Sequence, residues 1–417
     1  MKSDIDQLMK ANQITALLVV GSAQHNPDMV YLTGGGHITR ADLIKKCGQP
    51  GVLFCGPMER DEAAATGLET ISYNRYPMGP LMKEAGGDPI KAAALRYQHM
   101  FTDLGITAGR VLLYGKSDVG TFYSILTALQ QLMPALSFAG DWEGVVLPQA
   151  MATKDNTEIE RIRRMGQITT QVVGKTAAFL SGHTARDGVL VKEDGGEELT
   201  IGEVKAHINL WLAENGVENP EGTIFAIGGD AGVPHSVGNP ADLMRLGQTI
   251  VFDIFPCEAE GGYYYDFTRT WCLGYAPAEA QQLYDQVLGV YRQVTRELEV
   301  NAPYADYQKR TCDIYESQGH PTIQSAPDTE SGYVHSLGHG VGVRIHEKPW
   351  SGSTASATDI LAPGSVFTIE PGLYYPERGM GVRLEDTWYV RPDGHIEVLA
   401  PYPMDLVLPV KGYTPHS

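Results

Sequence analysis

A chain of 417 residues exceeds what one hydrophobic core ordinarily organises, so two domains are expected. Hydrophobic residues make up 43% and charged residues 20%, which excludes a disordered chain. The formal net charge of -18 excludes a nucleic-acid binder, which needs a basic face against phosphates, and reads chiefly as solubility.

Met1–Gln13 is polar, and the apolar stretch Ile14–Val20 is too short for a secretory leader and reads as a strand. No run reaches the ~18 apolar residues of a membrane helix, so no membrane association is expected. Gly51–Cys55 and Arg110–Tyr114 are also strand-like, and Thr121–Met133 has helical periodicity closed by Pro134. Alternation of this kind predicts an α/β domain over residues 1–150. Gly34-Gly35-Gly36 lacks the spacing of a phosphate loop and reads as a turn. The cysteines (Cys47, Cys55, Cys257, Cys272 and Cys312) are odd in number and scattered. They fit a reducing cytoplasm and a structural role, with neither a disulfide framework nor a thiolate zinc site.

A boundary is expected near Pro148–Asn156, which leaves 151–417 as the second domain. Thr157-Glu-Ile-Glu160 has the form of a capping box and opens a helix with Ile159, Ile162, Met165, Ile168 and Val172 on one stripe. Ser181–Gly196 reads as a long loop and Ile201–Asn215 as a helix. Thr249–Phe255 and Tyr263–Trp271 read as a hairpin whose connection, with Pro256 and Gly261-Gly262, is irregular. Helices are predicted over Ala278–Leu298 and Tyr304–Gln318. Strands follow at Ser365–Ile369 and Met380–Val390, linked through a Pro-Gly turn. The two hairpins form a faint internal duplication, each carrying two acids in an apolar setting.

Those acids are Asp253, Asp266, Glu370 and Glu385. Aspartate is a poor strand residue, and an unpaired buried carboxylate is costly. Four that converged would force some to stay protonated, and two divalent cations would cancel them instead. His339 lies in His335-Ser-Leu-Gly-His-Gly-Val-Gly342, where glycines allow close backbone approach. The third glycine falls one residue too close for a dinucleotide loop. His346-Glu347 continues as Lys-Pro-Trp, so there is no H-E-x-x-H motif. One imidazole among carboxylates favours Mn²⁺, Fe²⁺ or Co²⁺, with Zn²⁺ as a further option. His235, after Gly232-Val-Pro234, and His346 flank the ligand segments and are placed to serve a substrate.

Five stretches together resemble the pita-bread metallopeptidases, the family of aminopeptidase P, prolidase, methionine aminopeptidase and creatinase. They are Asp253-Ile-Phe with Tyr265-Asp-Phe-Thr-Arg-Thr270, Gly338-His-Gly-Val-Gly342, His346-Glu-Lys-Pro349, Thr368-Ile-Glu-Pro-Gly372 and Val382-Arg-Leu-Glu-Asp386. His25-Asn-Pro-Asp28 and Tyr31-Leu-Thr-Gly34 resemble the creatinase amino-terminal domain, so the likeness covers nearly the whole chain. It implies an α+β fold: an α/β creatinase-type domain, then a curved antiparallel sheet backed by helices, with pseudo-twofold symmetry. It implies Asp253, Asp266, His339, Glu370 and Glu385 as metal ligands and Glu370 as the proton shuttle. His235 and His346 would meet the substrate carbonyl and the tetrahedral intermediate, and Arg383 would orient the acidic ligands.

The implied cofactors are two divalent ions, Mn²⁺ or Co²⁺ foremost and Zn²⁺ or Fe²⁺ as alternatives, sharing a water across about 3.5–4 Å. The implied reaction is hydrolysis of the Xaa-Pro bond at peptide N-termini, in a homodimer; the cytoplasmic expectation comes from the cysteines. The partner is then a small peptide with proline in the second position. Two departures matter. The interval from Asp253 to Asp266 is longer than the family's commonest spacing, so that hairpin is expected to bulge. Trp350 stands where one branch of prolidases carries an arginine that grips the dipeptide carboxylate, which tilts the reading toward longer Xaa-Pro peptides. The alternatives are an Xaa-Pro dipeptidase and a metal-dependent non-peptide amide hydrolase or lyase. A histone-chaperone-like binding module is disfavoured, because such relatives lose the ligand set.

Overall fold

Eight residues from Ile14 to Gly21, almost all apolar, form β1, buried along most of its length. The computed structural model describes residues 4–192 and 196–414, which divide into two units. One comprises residues 1–151 with 260–262, the other 152–259 with 263–417. In the first, β1 is flanked by β2 (Ala41–Lys46) and, beyond it, β3 (Gly51–Cys55) and β4 (Glu69–Ser72). On its other side lie β5 (Gly109–Gly115) and β6 (Leu136–Gly140). The β1–β2 and β2–β3 pairs are antiparallel and the others parallel.

Alternate residues Ala16, Leu18 and Val20 share one core with Ile44, Phe54, Leu95, Phe101 and Leu129. The last three come from α5 (Pro89–Asp103) and α6 (Val119–Leu132), which follow the short helices α1 (Ile5–Ala11), α2 (Pro27–Thr33), α3 (Arg60–Ala65) and α4 (Met78–Glu84). α7 (Leu147–Met151) closes this unit. Gly34, expected in a plain turn, is the left-handed C-cap of α2, with φ 82°.

The second unit opens with α8 (Asn156–Gly182). Its capping box is Asp155 with Glu158, two residues ahead of the expected Thr157 and Glu160. Asp155 has extended backbone and accepts from the amides of Thr157 and Glu158, so Thr157 already lies inside the first turn. The stripe from Ile159 to Val172 is buried as its spacing predicts. α8 runs to Gly182, so the expected loop from Ser181 is shorter and contains a hairpin, β7 (Thr184–Arg186) with β8 (Val189–Val191). Residues 193–195 of that loop lie outside the described residues. α9 (Ile201–Glu214) follows, capped by Thr200 and Glu203.

Two sheets then carry the functional residues. One has the order β10 (Thr223–Ile227), β11 (Thr249–Ile254), β13 (Phe267–Leu273), β21 (Val407–Leu408). The other has β15 (Glu347–Trp350), β14 (His339–Gly340), β16 (Val366–Ile369), β19 (Asp386–Val390), β20 (Ile396–Val398). Short ladders join β9 (Val217–Glu218) to β12 (Cys257–Glu258), and β17 (Gly372–Tyr375) to β18 (Met380–Arg383). α10 (Ala278–Arg296) and α11 (Tyr304–Ser317) bury Leu283, Val287, Tyr304 and Tyr315 against Phe367, Ile369 and Leu373.

Both expected hairpins are broken at an acid. The strand predicted from Tyr263 begins only at Phe267, because the amides of Tyr263, Tyr264 and Tyr265 bond to Glu258, Gly342 and Pro256 instead. The strand predicted over Met380–Val390 is interrupted at Leu384 and Glu385: β18 pairs with β17, whereas β19 pairs with β16. Glu385 exchanges both backbone hydrogen bonds with Thr268, across the seam between the two sheets. Among the described residues no helix is long and apolar enough to cross a membrane, and all five cysteines are free thiols.

Gly166 in α8 marks a close approach. A β-carbon there would stand 2.5 Å from Tyr265 Cε2 and 2.8 Å from Ala400 Cβ. Helix propensity alone favours alanine by roughly 0.5–1 kcal/mol. Crowding against a buried tyrosine costs about 1–3 kcal/mol and outweighs it. Gly166→Ala is therefore expected to lower the urea unfolding midpoint, and a raised midpoint would contradict this packing.

Candidate active site

The acids meet because the two sheets meet. Asp253 lies near the end of β11, opposite Thr268 of β13. Asp266 immediately precedes β13, Glu370 immediately follows β16, and Glu385 immediately precedes β19. His339 opens β14, where its amide donates to Thr368 Oγ1 (3.1 Å). The glycines around it are required by packing: a side chain at Gly338 would strike Tyr304 and Thr368, and one at Gly340 the carbonyl of Lys348.

All five side chains line one cavity of about 360 Å³, together with His235, His346 and Arg383. Ligating atoms of Asp266, His339 and Glu385 lie within 4.8 Å of one another. His339 Nε2 is 3.5 Å from Asp266 Oδ2 and 3.3 Å from Glu370 Oε1. Its Nδ1 donates to the Gly340 carbonyl (3.0 Å), which fixes the ring and aims Nε2 at the acids. The ring of His346 meets that of His339 edge to face, with centroids 4.2 Å apart. His235 stands exposed at the rim, in the loop after Pro234.

Hydrogen bonds from β13 and β16 hold the acids. Thr268 Oγ1 donates to Glu385 Oε2 (2.6 Å), Thr368 Oγ1 to Glu370 Oε1 (3.2 Å), and the Phe267 amide to Asp266 Oδ1 (2.9 Å). Arg383, almost fully buried, pairs through Nη2 with Asp253 Oδ2 (2.6 Å). Its other nitrogens donate to Thr268 Oγ1, the Pro234 carbonyl and Tyr374. Behind the site, Arg269 bonds the carbonyls of Thr268 and Glu385 and pairs with buried Asp386 (2.8 Å).

Charge in this pocket is unbalanced by side chains alone. Burial pushes the Asp266 and Glu385 carboxyls well above the usual range, and the neighbouring acids push further in the same direction. Asp253 is also raised by burial, against the pull of Arg383. Glu370 differs: burial opposes its charge, but the hydrogen bond to His339 and that ring's charge bring it down to about 2. His339 is correspondingly raised to about 9, because Glu370 and Asp266 outweigh its burial. His346 is lowered, first by desolvation and then by the charge on His339. Two buried oxygens, Asp253 Oδ1 and Glu385 Oε1, have no hydrogen-bond partner among the described residues. Orphaned carboxylate oxygens beside an aimed imidazole are the donor set that a divalent cation requires, so the residues fit such a group.

The sequence profile of metallopeptidase family M24 matches residues 160–392, more than half of the chain. The chain belongs to this family. The M24 match spans every one of these candidate residues. Among curated relatives, an Xaa-Pro dipeptidase of Pyrococcus furiosus is 31% identical over 203 residues, 48% of this chain and 54% of that protein. The chain spans 60% and 54% of the lengths of the first curated relatives that it matches. The solved prolidase of Pyrococcus horikoshii superposes with a TM-score of 0.70 at 21% identity, over 97% of this chain and 98% of its own. An X-Pro aminopeptidase of Thermotoga maritima does so with 0.70 at 20%, over 96% and 99%. At such identities the likeness is one of fold, and the fold is the pita-bread architecture with its preceding α/β unit.

Sequence reading missed several residues of the site. His335 donates or accepts through Nε2 at Tyr374 OH (2.9 Å), and its Nδ1 lies 3.9 Å from Glu370. Thr268, Thr368 and Tyr374 look like ordinary strand residues, so nothing in their type marked them. Lys154 forms a buried ion pair with Glu347, beside His346. Lys154 had no local signal, since its partner is remote in sequence.

The cluster predicts an inversion of sign. In chelator-treated protein Glu385→Gln removes a carboxyl that burial and repulsion oppose, so its melting temperature should equal or exceed the wild type's. Adding Mn²⁺ or Co²⁺ should raise the wild-type melting temperature and leave that of Glu385→Gln nearly unmoved. Equal cation-induced shifts in both proteins would count against a cation bound here.

Proposed function

We propose that this M24 protein is a cytoplasmic, homodimeric exopeptidase that hydrolyses Xaa-Pro bonds at peptide N-termini. Its catalytic domain would be residues 151–417 and its creatinase-like domain residues 1–150. Asp253, Asp266, His339, Glu370 and Glu385 would hold two divalent cations, Mn²⁺ or Co²⁺ foremost. The single observation that carries this is the convergence of four acids and one oriented imidazole in one cavity, with two buried carboxylate oxygens left unpartnered. When bound, such ions supply a hydroxide near neutral pH and polarise the carbonyl under attack.

The chain's own residues supply the rest. Glu370 reaches the cavity and carries the proton from the nucleophile to the leaving nitrogen. Its low pKa reflects the proton on His339. A His339 ring whose Nε2 serves as a ligand carries no proton there, so the carboxylate is released to accept one. His346 is held neutral and can donate or accept one hydrogen bond at the substrate carbonyl or the tetrahedral intermediate. His235, exposed on the lining of the same cavity, would meet the substrate as well. Arg383 fixes Asp253 and offsets one acid charge.

Arg383 is also the one guanidinium or ammonium group among the described lining residues, and Asp253, Pro234 and Tyr374 already engage it. Trp350 lines the same wall. A dipeptide's terminal carboxylate would find no free cation there, which favours Xaa-Pro-Yaa over Xaa-Pro substrates. The dipeptidase name of the Pyrococcus furiosus relative keeps the dipeptide reading as the second one.

Loaded with Mn²⁺ or Co²⁺, the protein should cleave Xaa-Pro-Yaa faster than Xaa-Pro, and a chelator should abolish both activities. Asp266→Ala should bind less metal by elemental analysis and lose activity while keeping its far-ultraviolet circular dichroism. Failure on every proline peptide would leave the non-peptide amide hydrolase or lyase. Trp350→Arg should raise kcat/KM for the dipeptide relative to the tripeptide by about tenfold, the scale of one charge-assisted hydrogen bond. An unchanged ratio would remove Trp350 from substrate selection.

A further inference from the structure

One acid on the cavity wall takes no part in the metal cluster. Glu221 lies in the turn before β10 and lines the cavity, yet it is exposed. Its carboxylate accepts no hydrogen bond and pairs with no cation among the described residues. The strand register locates it relative to the cluster. Ile224 of β10 lies directly opposite Asp253 of β11, so the two side chains share a face and are neighbours across strands about 5 Å apart. Glu221 precedes Ile224 by three residues, at most roughly 10 Å of extended chain. The route from the acids to Glu221 therefore passes over Ile224, with Phe255 and Val237 as further apolar lining. An apolar track that ends in a carboxylate suits a side chain with a methylene stem and a cationic head.

We infer that Glu221 selects substrates with arginine or lysine at the residue on the amino-terminal side of the cleaved bond. This rests on the Xaa-Pro reading, because the residue after the bond is then proline, which carries no charge. The Xaa side chain branches from the carbon next to the attacked carbonyl, and Ile224, opposite Asp253, lines the way from there to Glu221. Glutamate in place of arginine would face Glu221 and be rejected.

The test uses full-length protein and the peptides Arg-Pro-Ala, Leu-Pro-Ala, Glu-Pro-Ala and Leu-Pro-Arg. With metal bound, kcat/KM should fall in the order Arg, Leu, Glu at Xaa, with roughly fivefold between Arg and Leu, as expected of a solvent-facing ion pair. Glu221→Gln should bring the Arg-to-Leu ratio near one, and Glu221→Arg should place Glu-Pro-Ala above Arg-Pro-Ala. Calorimetric binding of Arg-Pro-Ala to chelator-treated protein, which cannot turn it over, should weaken by the same factor in Glu221→Gln. An Arg-to-Leu ratio that is the same in wild type and Glu221→Gln, or a preference for arginine at the third position instead, overturns the assignment. Loss of all hydrolysis with the binding difference intact sinks the Xaa-Pro reading and leaves the cationic preference standing.

Discussion

Four carboxylates cannot stay ionised together inside a protein without something positive among them. That electrostatic constraint sets the chemistry of the pocket in the second unit. Arg383 answers one of the four, and His339 answers Glu370. Asp266 and Glu385 remain, pushed toward the protonated form in a pocket that hydrogen bonds only partly satisfy. A cluster of this kind persists because it is suited to a cation, and the M24 family match gives that chemistry its context. Around it the packing is inflexible: glycines 338 and 340 leave no room for a side chain, and Tyr265 leaves none at Gly166.

The seam between the two sheets makes the convergence possible. Regular strands would alternate their side chains between faces and send some acids away from the pocket. Here the chain breaks regular pairing at three of the four acids, while Asp253 stays within regular β11. Asp266 stands before its strand begins, Glu385 sits between two strands, and Glu370 follows the end of one. Backbone groups of Asp266 and Glu385 are bonded across the seam by Thr387, Thr268 and Arg269, whereas the Glu370 amide bonds the Leu337 carbonyl. Irregular backbone and charged side chains thus occur at the same positions, where the local rules of strand structure give way to the site.

This explains how much could be read in advance. The four acids were legible because carboxylates in apolar runs are anomalies, His339 because glycines flank it, and the helices from their stripes; that the five form one ligand set was implied by the resemblance. The breaks in the two hairpins were not, since a strand predicted from composition does not reveal that its amides bond elsewhere. Nor could a sequence choose between Asp155 and Thr157 as the cap of α8, because both begin an acceptable box and backbone angles decide. Thr268, Thr368 and Tyr374 were invisible for the opposite reason: they are ordinary strand residues whose hydroxyls matter only through partners that the fold brings to them. Glu221 was one exposed acid among the 50 of the chain, and only the register across β10 and β11 separates it from the rest.

The hydroxyl of Thr268 accepts from Arg383 Nε at 3.3 Å and donates to Glu385 Oε2 at 2.6 Å. It has a single proton, so its dipole can point in only one direction, and the guanidinium dictates which. Polarisation then runs one way from Arg383, at the end of β18, through an uncharged oxygen of β13 to the acid two residues further along the chain. Glu385 therefore experiences Arg383 without touching it, and the halves of the duplicated hairpins share one positive charge through a relay of a single atom.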